Sequence, residues 1–149
     1  MKEYSIHREQ VLPITLLQAW NFFSNPHNLQ KITPPDMGFK IVTPLLDKKI
    51  FSGMRITYSV RPLLSLPLKW ETEIKDVEEP YLFVDTQLEG PYKKWEHKHI
   101  FEEVKDGVKM IDHVVYSLPM GILGEFAHQL FVRKRLEQIF DYREKILIS

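Results

Sequence analysis

The sequence predicts an α+β fold: one strand and two short helices lead into an antiparallel sheet of about seven strands, and a long C-terminal helix closes it. Three observations predict it. From Gly38 the hydrophobic pattern keeps a period near 2 for about eighty residues, enough for six consecutive strands. The ten prolines fall at boundaries between patterned segments. The last segment, from about Leu123 to Ile146, is helical by length and composition.

Each element has its own local reason. Residues 3–12 (EYSIHREQVL) alternate as a strand that ends at Pro13. Thr15 and Gln18 have capping-box spacing, and Leu16, Ala19, Trp20 and Phe23 recur at helical intervals until Pro26 forbids continuation. Asn25 then caps a second short helix over 26–32 with Pro26 in its first position, and Thr33-Pro34-Pro35 closes it. Over 54–61, Met54, Ile56, Tyr58 and Val60 oppose Arg55, Thr57, Ser59 and Arg61; over 68–76, Leu68, Trp70, Thr72 and Ile74 oppose Lys69, Glu71, Glu73 and Lys75. Residues 81–89 are ambivalent: Tyr81, Phe83, Asp85 and Gln87 share one face, and Leu82, Val84, Thr86 and Leu88 the other. In the C-terminal helix, Leu123, Phe126, Ala127 and Leu130 share a face, while Val132, Leu136, Ile139 and Ile146 point nearer the opposite side at 100° per residue. The helix therefore kinks or is buried on two sides. Gly121 and Gly124 predict a loop or loose first turn, since glycine there costs roughly 1 kcal/mol relative to alanine.

Composition narrows the class. The 149 residues carry 20 Lys plus Arg against 20 Asp plus Glu, so the electrostatic footprint of a nucleic-acid binder is missing. One domain over 1–149 is expected, large enough to bury a core without covalent staples. With no cysteine, disulfides, thiolate zinc sites, iron–sulfur clusters and a cysteine nucleophile are excluded. No stretch approaches the roughly 18 apolar residues of a membrane span, and the polar start is unlike a secretion leader; a cytoplasmic location is expected. Neither a glycine-rich phosphate loop nor a Gly-x-Ser-x-Gly elbow is present.

The chemistry concentrates in one hairpin. Asp106-Gly107 favours a two-residue type I′ turn, which would set Lys105 opposite Val108 and hence Phe101 opposite Asp112, His99 opposite Val114, His97 opposite Tyr116 and Trp95 opposite Leu118. All lie on one face, and its apolar members make that face the interior. His97, His99, Asp112 and Tyr116 then line an apolar wall. Such groups either satisfy one another as a buried network or orient a molecule in a cavity, and the two are compatible. The same residue types admit acid–base chemistry and, less readily, a two-histidine carboxylate metal site. Asp85 and Gln87 join the set if their strand turns that face inward. The stretch RPLLSLPL over 61–68 is apolar for a connection and would suit a pocket mouth or a partner surface. His7, His27, His113 and His128 read as surface or structural residues.

With this order of elements the chain resembles the START-like or SRPBCC superfamily, whose members include birch-pollen-allergen-like proteins, polyketide cyclases and lipid-transfer domains. Several segments are similar to a small bacterial group within it: Asn28-Leu29 with Ile32-Thr33-Pro34-Pro35, Gly53-Met54, Phe83 through Asp85 and Gln87 to Gly90-Pro91, then Trp95, His97, His99, Phe101, and Asp112, Val114, Tyr116, Pro119. The resemblance implies a helix-grip fold, a curved sheet wrapped around the long helix with a cavity between them, and Asp85 and Gln87 facing that cavity. Together with the hairpin reading it leads to an expected function, binding of a small hydrophobic or amphipathic molecule, lipids included, with Asp85, Gln87, Trp95, His97, His99, Asp112 and Tyr116 as ligand-binding residues. No metal, cofactor or nucleic acid is expected. A cyclase, dehydratase or hydrolase using the same groups is the alternative, and a protein-interaction module a second.

Overall fold

The computed structural model describes residues 2–44, 49–61 and 67–148. Strand β1 (Tyr4–Leu12) is followed by helices α1 (Leu16–Phe23) and α2 (Pro26–Lys31), a 3-10 turn (Pro35–Met37), then β2 (Lys40–Ile41), β3 (Arg55–Val60), β4 (Leu68–Glu78), β5 (Leu82–Glu89), β6 (Lys94–Val104) and β7 (Gly107–Ser117). The C-terminal segment comprises α3 (Gly121–Ala127), a π-helical turn (His128–Val132) and α4 (Arg133–Ile148). The seven strands form one antiparallel sheet in the order β1-β7-β6-β5-β4-β3-β2, so β1 returns beside the last strand and the rest is a meander.

The short helices form as their caps dictate. The Thr15 side chain accepts from the Gln18 amide at 3.1 Å, and the Gln18 side chain accepts from the Thr15 amide at 2.9 Å. Asn25 caps α2 through the His27 amide, with Pro26 in the first turn where its missing N–H is no loss. Helix α1 buries Leu16, Ala19 and Trp20. Trp20 meets Phe83 and Phe101 edge-on, and its indole N–H donates to Glu79 at 2.7 Å.

The β6–β7 hairpin differs from expectation by two residues. Val104 pairs with Gly107, so Lys105 and Asp106 make the turn, and Trp95 lies opposite Tyr116, His97 opposite Val114, His99 opposite Asp112 and Phe101 opposite Met110. A shift of two preserves which face is inward, because side chains alternate with period 2. Gly107 serves a close approach instead of the turn centre: its φ is +144°, and a Cβ there would collide with the Leu12 carbonyl of β1.

The C-terminal segment settles the two-stripe conflict. Gly124 and Ala127 line the cavity beside the sheet, with Leu123 at its exposed edge, and the line continues through Val132, Leu136, Phe140 and Arg143. The step from 127 to 132 is five residues, the π turn, which inserts one residue and rotates the following helix by about a quarter turn. A straight helix would have sent Val132 and Leu136 away from the sheet. Phe126 and Leu130, expected on the inner stripe, are exposed. The loose start expected from Gly121 and Gly124 is confined to the entry, where Met120 and Gly121 take φ of 73° and 54°; from Gly121 the chain is helical. Gly124 is buried against the Pro119 carbonyl, and a Cβ would not fit. Arg8 of β1 ties down the far end of α4 through Asp141 at 2.8 Å and Glu144 at 3.2 Å. Among the described residues, no helix is long and apolar enough to cross a membrane.

Candidate functional site

A cavity of about 410 Å³, open to solvent, lies between the sheet and the C-terminal helix. Ile56, Tyr58 and Val60 of β3, Trp70 and Ile74 of β4, Phe83 of β5 and Trp95 of β6 form the sheet side, facing Val132, Leu136 and Phe140. Leu29, Phe39 and Leu123 stand among the residues that complete the lining from α2, the segment before β2, and α3. The alternation that puts an apolar face inward on β3 supplies Ile56, Tyr58 and Val60 to this wall.

A cluster of ionisable groups sits on the wall. Asp85, His97, His99 and Arg143 line the cavity, with Asp112 immediately behind. The His97 ring donates from Nε2 to Asp112 Oδ1 at 2.8 Å, and the His99 ring donates from Nε2 to Asp85 Oδ2 at 2.6 Å. Asp112 Oδ1 also lies 3.4 Å from the Arg143 guanidinium and 3.7 Å from His99 Nδ1. The two imidazoles stack at 3.7 Å, His99 stacks on Phe83 at 4.1 Å, and Arg143 lies over the Phe23 ring. His99 Nδ1 and Arg143 Nε are sealed without a hydrogen-bond partner among the described residues.

Burial and pairing set the protonation states. Burial pushes the Asp112 carboxyl up, but the Arg143 charge and the His97 hydrogen bond outweigh it and hold it well below the usual carboxylate range. Asp85 is likewise lowered: burial raises it, and the His99 hydrogen bond and the nearby cations bring it down further. His99 is lowered to about 4, first by burial and then by the His97 charge, against the pull of Asp85.

Of the residues expected to contact a ligand, Asp85, Trp95, His97 and His99 line the cavity, whereas Gln87, Asp112 and Tyr116 do not. Gln87 holds the β5–β6 loop, accepting from the Tyr92 amide at 3.1 Å and donating to the Tyr92 carbonyl at 2.6 Å. The Tyr116 hydroxyl meets His128 Nε2 at 2.7 Å; burial pushes its phenol up to about 12, and Tyr4 stacks on the His128 ring. His128 is thus buried structure, while His7 and His113 form an exposed pair on the outer face of β1 and β7. Sequence reasoning missed Arg143. Its signal was its place on the line Val132, Leu136, Phe140, visible only once the helix phase is known.

Asp85, His97 and His99 are close enough to one another to share an ion. Their rings do not suit it as they stand. Both Nε2 atoms are engaged by carboxylates, and lone pairs in planes stacked at 3.7 Å and tilted by 23° do not meet at the roughly 2 Å that a transition metal requires.

The sequence matches no protein-family model and no curated protein. Solved structures do match. The fold is similar to that of protein Ms6760 from Mycobacterium smegmatis (TM-score 0.65, 17% identity, 97% of this chain and 90% of that one). It is also similar to TTHA0849 from Thermus thermophilus (0.68, 14%, 97% of both) and to Ara h 8.0201 (0.64, 16%, 99% of both). At these identities the likeness is one of fold: the chain has an α+β helix-grip fold, with its seven-stranded antiparallel sheet gripping the C-terminal helix.

Proposed function

We propose that the protein binds a small, largely apolar molecule in the cavity between the sheet and the C-terminal helix, with its polar end at Asp85, His97, His99 and Arg143. The carrying observation is the composition of the wall: largely apolar side chains around about 410 Å³, with Asp85, His97, His99 and Arg143 gathered on it as a polar cluster. Apolar contact supplies affinity at about 25 cal/mol per Å² buried, less the cost of association, and the polar groups supply orientation. Trp95 packs against Trp70 and Tyr92 and forms part of the wall. Asp112 holds His97, Gln87 shapes the neighbouring loop, and Tyr116 anchors the helix, so these three act on the ligand through other residues.

Native mass spectrometry of freshly purified protein, followed by denaturing extraction, tests the reading together with titration by the apolar fluorophore Nile red. A stoichiometric adduct, or one-to-one Nile red binding abolished by the space-filling change Ile139→Trp, supports it. A bare mass together with Nile red binding that Ile139→Trp leaves unchanged overturns it.

The Asp112–His97 pair supports a second reading, acid–base turnover of the bound molecule by cyclase, dehydratase or hydrolase chemistry. It predicts that the extracted molecule changes mass on incubation with the protein; an unchanged molecule counts against it. An interaction module built on Leu63, Leu64 and Leu66 concerns residues outside those described.

A further inference from the structure

The two histidines of the polar region differ in what they still offer. An ionised carboxylate only accepts, so each ring commits its Nε2–H to its own partner, His97 to Asp112 and His99 to Asp85. In a neutral ring this fixes the tautomer, and both Nδ1 atoms become lone-pair acceptors. His99 Nδ1 is sealed away, whereas His97 Nδ1 has no partner among the described residues, is not among the sealed atoms and belongs to a residue on the cavity wall. Asp85 adds a carboxylate beside it. Against these acceptors the donors are Arg143, whose charge is already matched by Asp112 at 3.4 Å, and the Tyr58 hydroxyl on the same lining.

A polar end that only accepts, such as a ketone, an ether or an ionised carboxylate, leaves His97 Nδ1 unsatisfied. A hydroxyl meets the region's needs: it donates to an acceptor and can still accept from Arg143. Resting on the cavity-binding reading, we propose that the ligand is an apolar alcohol or phenol whose hydroxyl donates to Nδ1 of His97.

The test compares three probes with one apolar body, 2-naphthol, 2-methoxynaphthalene and 2-naphthoate, by calorimetry at pH 8, with nitrogen NMR of the histidine rings. His97 Nδ1 is expected to be the unprotonated nitrogen and to shift on addition of 2-naphthol but not of the ether. 2-Naphthol is expected to bind at least about tenfold more tightly than the ether or 2-naphthoate. In His97→Phe the preference for 2-naphthol over the ether should disappear; should that variant fail to fold, the wild-type nitrogen shifts decide alone. Equal binding of ether and naphthol, tighter binding of the acid, or a proton on Nδ1 overturns the hydroxyl inference and leaves the cavity reading standing. If none of the three binds and Nile red also fails, both fall.

Discussion

Nε2 of His97 lies 2.8 Å from Oδ1 of Asp112, and the same oxygen lies 3.4 Å from the Arg143 guanidinium, all three side chains being buried. Asp112 therefore joins the polar strand positions to the C-terminal helix. Removing it orphans a donor on β6 and a charge on α4 together. Asp112→Ala is expected to cost about 3–5 kcal/mol of unfolding free energy. Asp112→Asn keeps an acceptor for His97 and should cost less, although it leaves the guanidinium uncompensated. Urea denaturation followed by circular dichroism orders the two, and equal losses would mean that charge, not hydrogen bonding, dominates at this oxygen.

His99 makes stability depend on pH in a defined window. Its folded value is lowered to about 4 from an ordinary 6.5, because burial disfavours the charged ring. Between these values the unfolded chain binds the proton and the folded chain does not, so acid favours unfolding. The contribution is complete above pH 6.5 and is lost as pH falls to about 4. Denaturation midpoints should decline across this window, and less steeply in His99→Gln, which keeps a donor for Asp85 but does not titrate. Unchanged slopes would show that another group carries the dependence.

The hairpin turn yields a third prediction. Gly107 holds φ +144°, and the Leu12 carbonyl of β1 occupies the space a side chain would need. Gly107→Ala should cost about 2 kcal/mol or more, beyond the ordinary penalty of an unfavourable φ, because the β1–β7 pairing must also shift. Asp106→Ala, at the exposed turn, should fall within about 0.5 kcal/mol of wild type. Thermal unfolding separates the two.

What could be read from the chain followed the reach of each signal. Alternation identified the inward faces of β3 and β4 because Ile56, Tyr58 and Ile74 have polar neighbours on both sides. It could not orient β5, where Phe83 and Val84 are both buried; there the resemblance pointed to Asp85 facing inward, which is its position in the structure. The Asp-Gly signal marked the hairpin but not its centre, since Gly107 answers to a strand more than ninety residues earlier in the chain. The same resemblance pointed to Gln87, which instead holds the loop through the backbone of Tyr92, a partner that carries no sequence signature. Tyr116 and Arg143 were beyond reach for one reason: the partners of both depend on the phase of a helix whose π turn no period of 3.6 describes.

That turn supports the last prediction. Two anchors fix the C-terminal segment, Gly124 against the Pro119 carbonyl at one end and Leu136, Phe140 and Arg143 against the sheet at the other. They face the same way only because the π turn between them holds one residue more than an α-helical turn. Leu130 lies in it with its side chain 51% exposed, so Leu130→Ala should leave stability within about 0.5 kcal/mol of wild type. Deleting Leu130 removes the same exposed side chain and also rotates one anchor about 100° relative to the other. One of them must then leave its site, and the loss should reach several kcal/mol, as for a disrupted core. Because α4 holds the larger buried surface, α3 should be the part that yields. Hydrogen exchange is expected to show protection lost over 121–127 and kept over 133–147; the opposite pattern would mean that Gly124, not the apolar stripe of α4, is the stronger anchor.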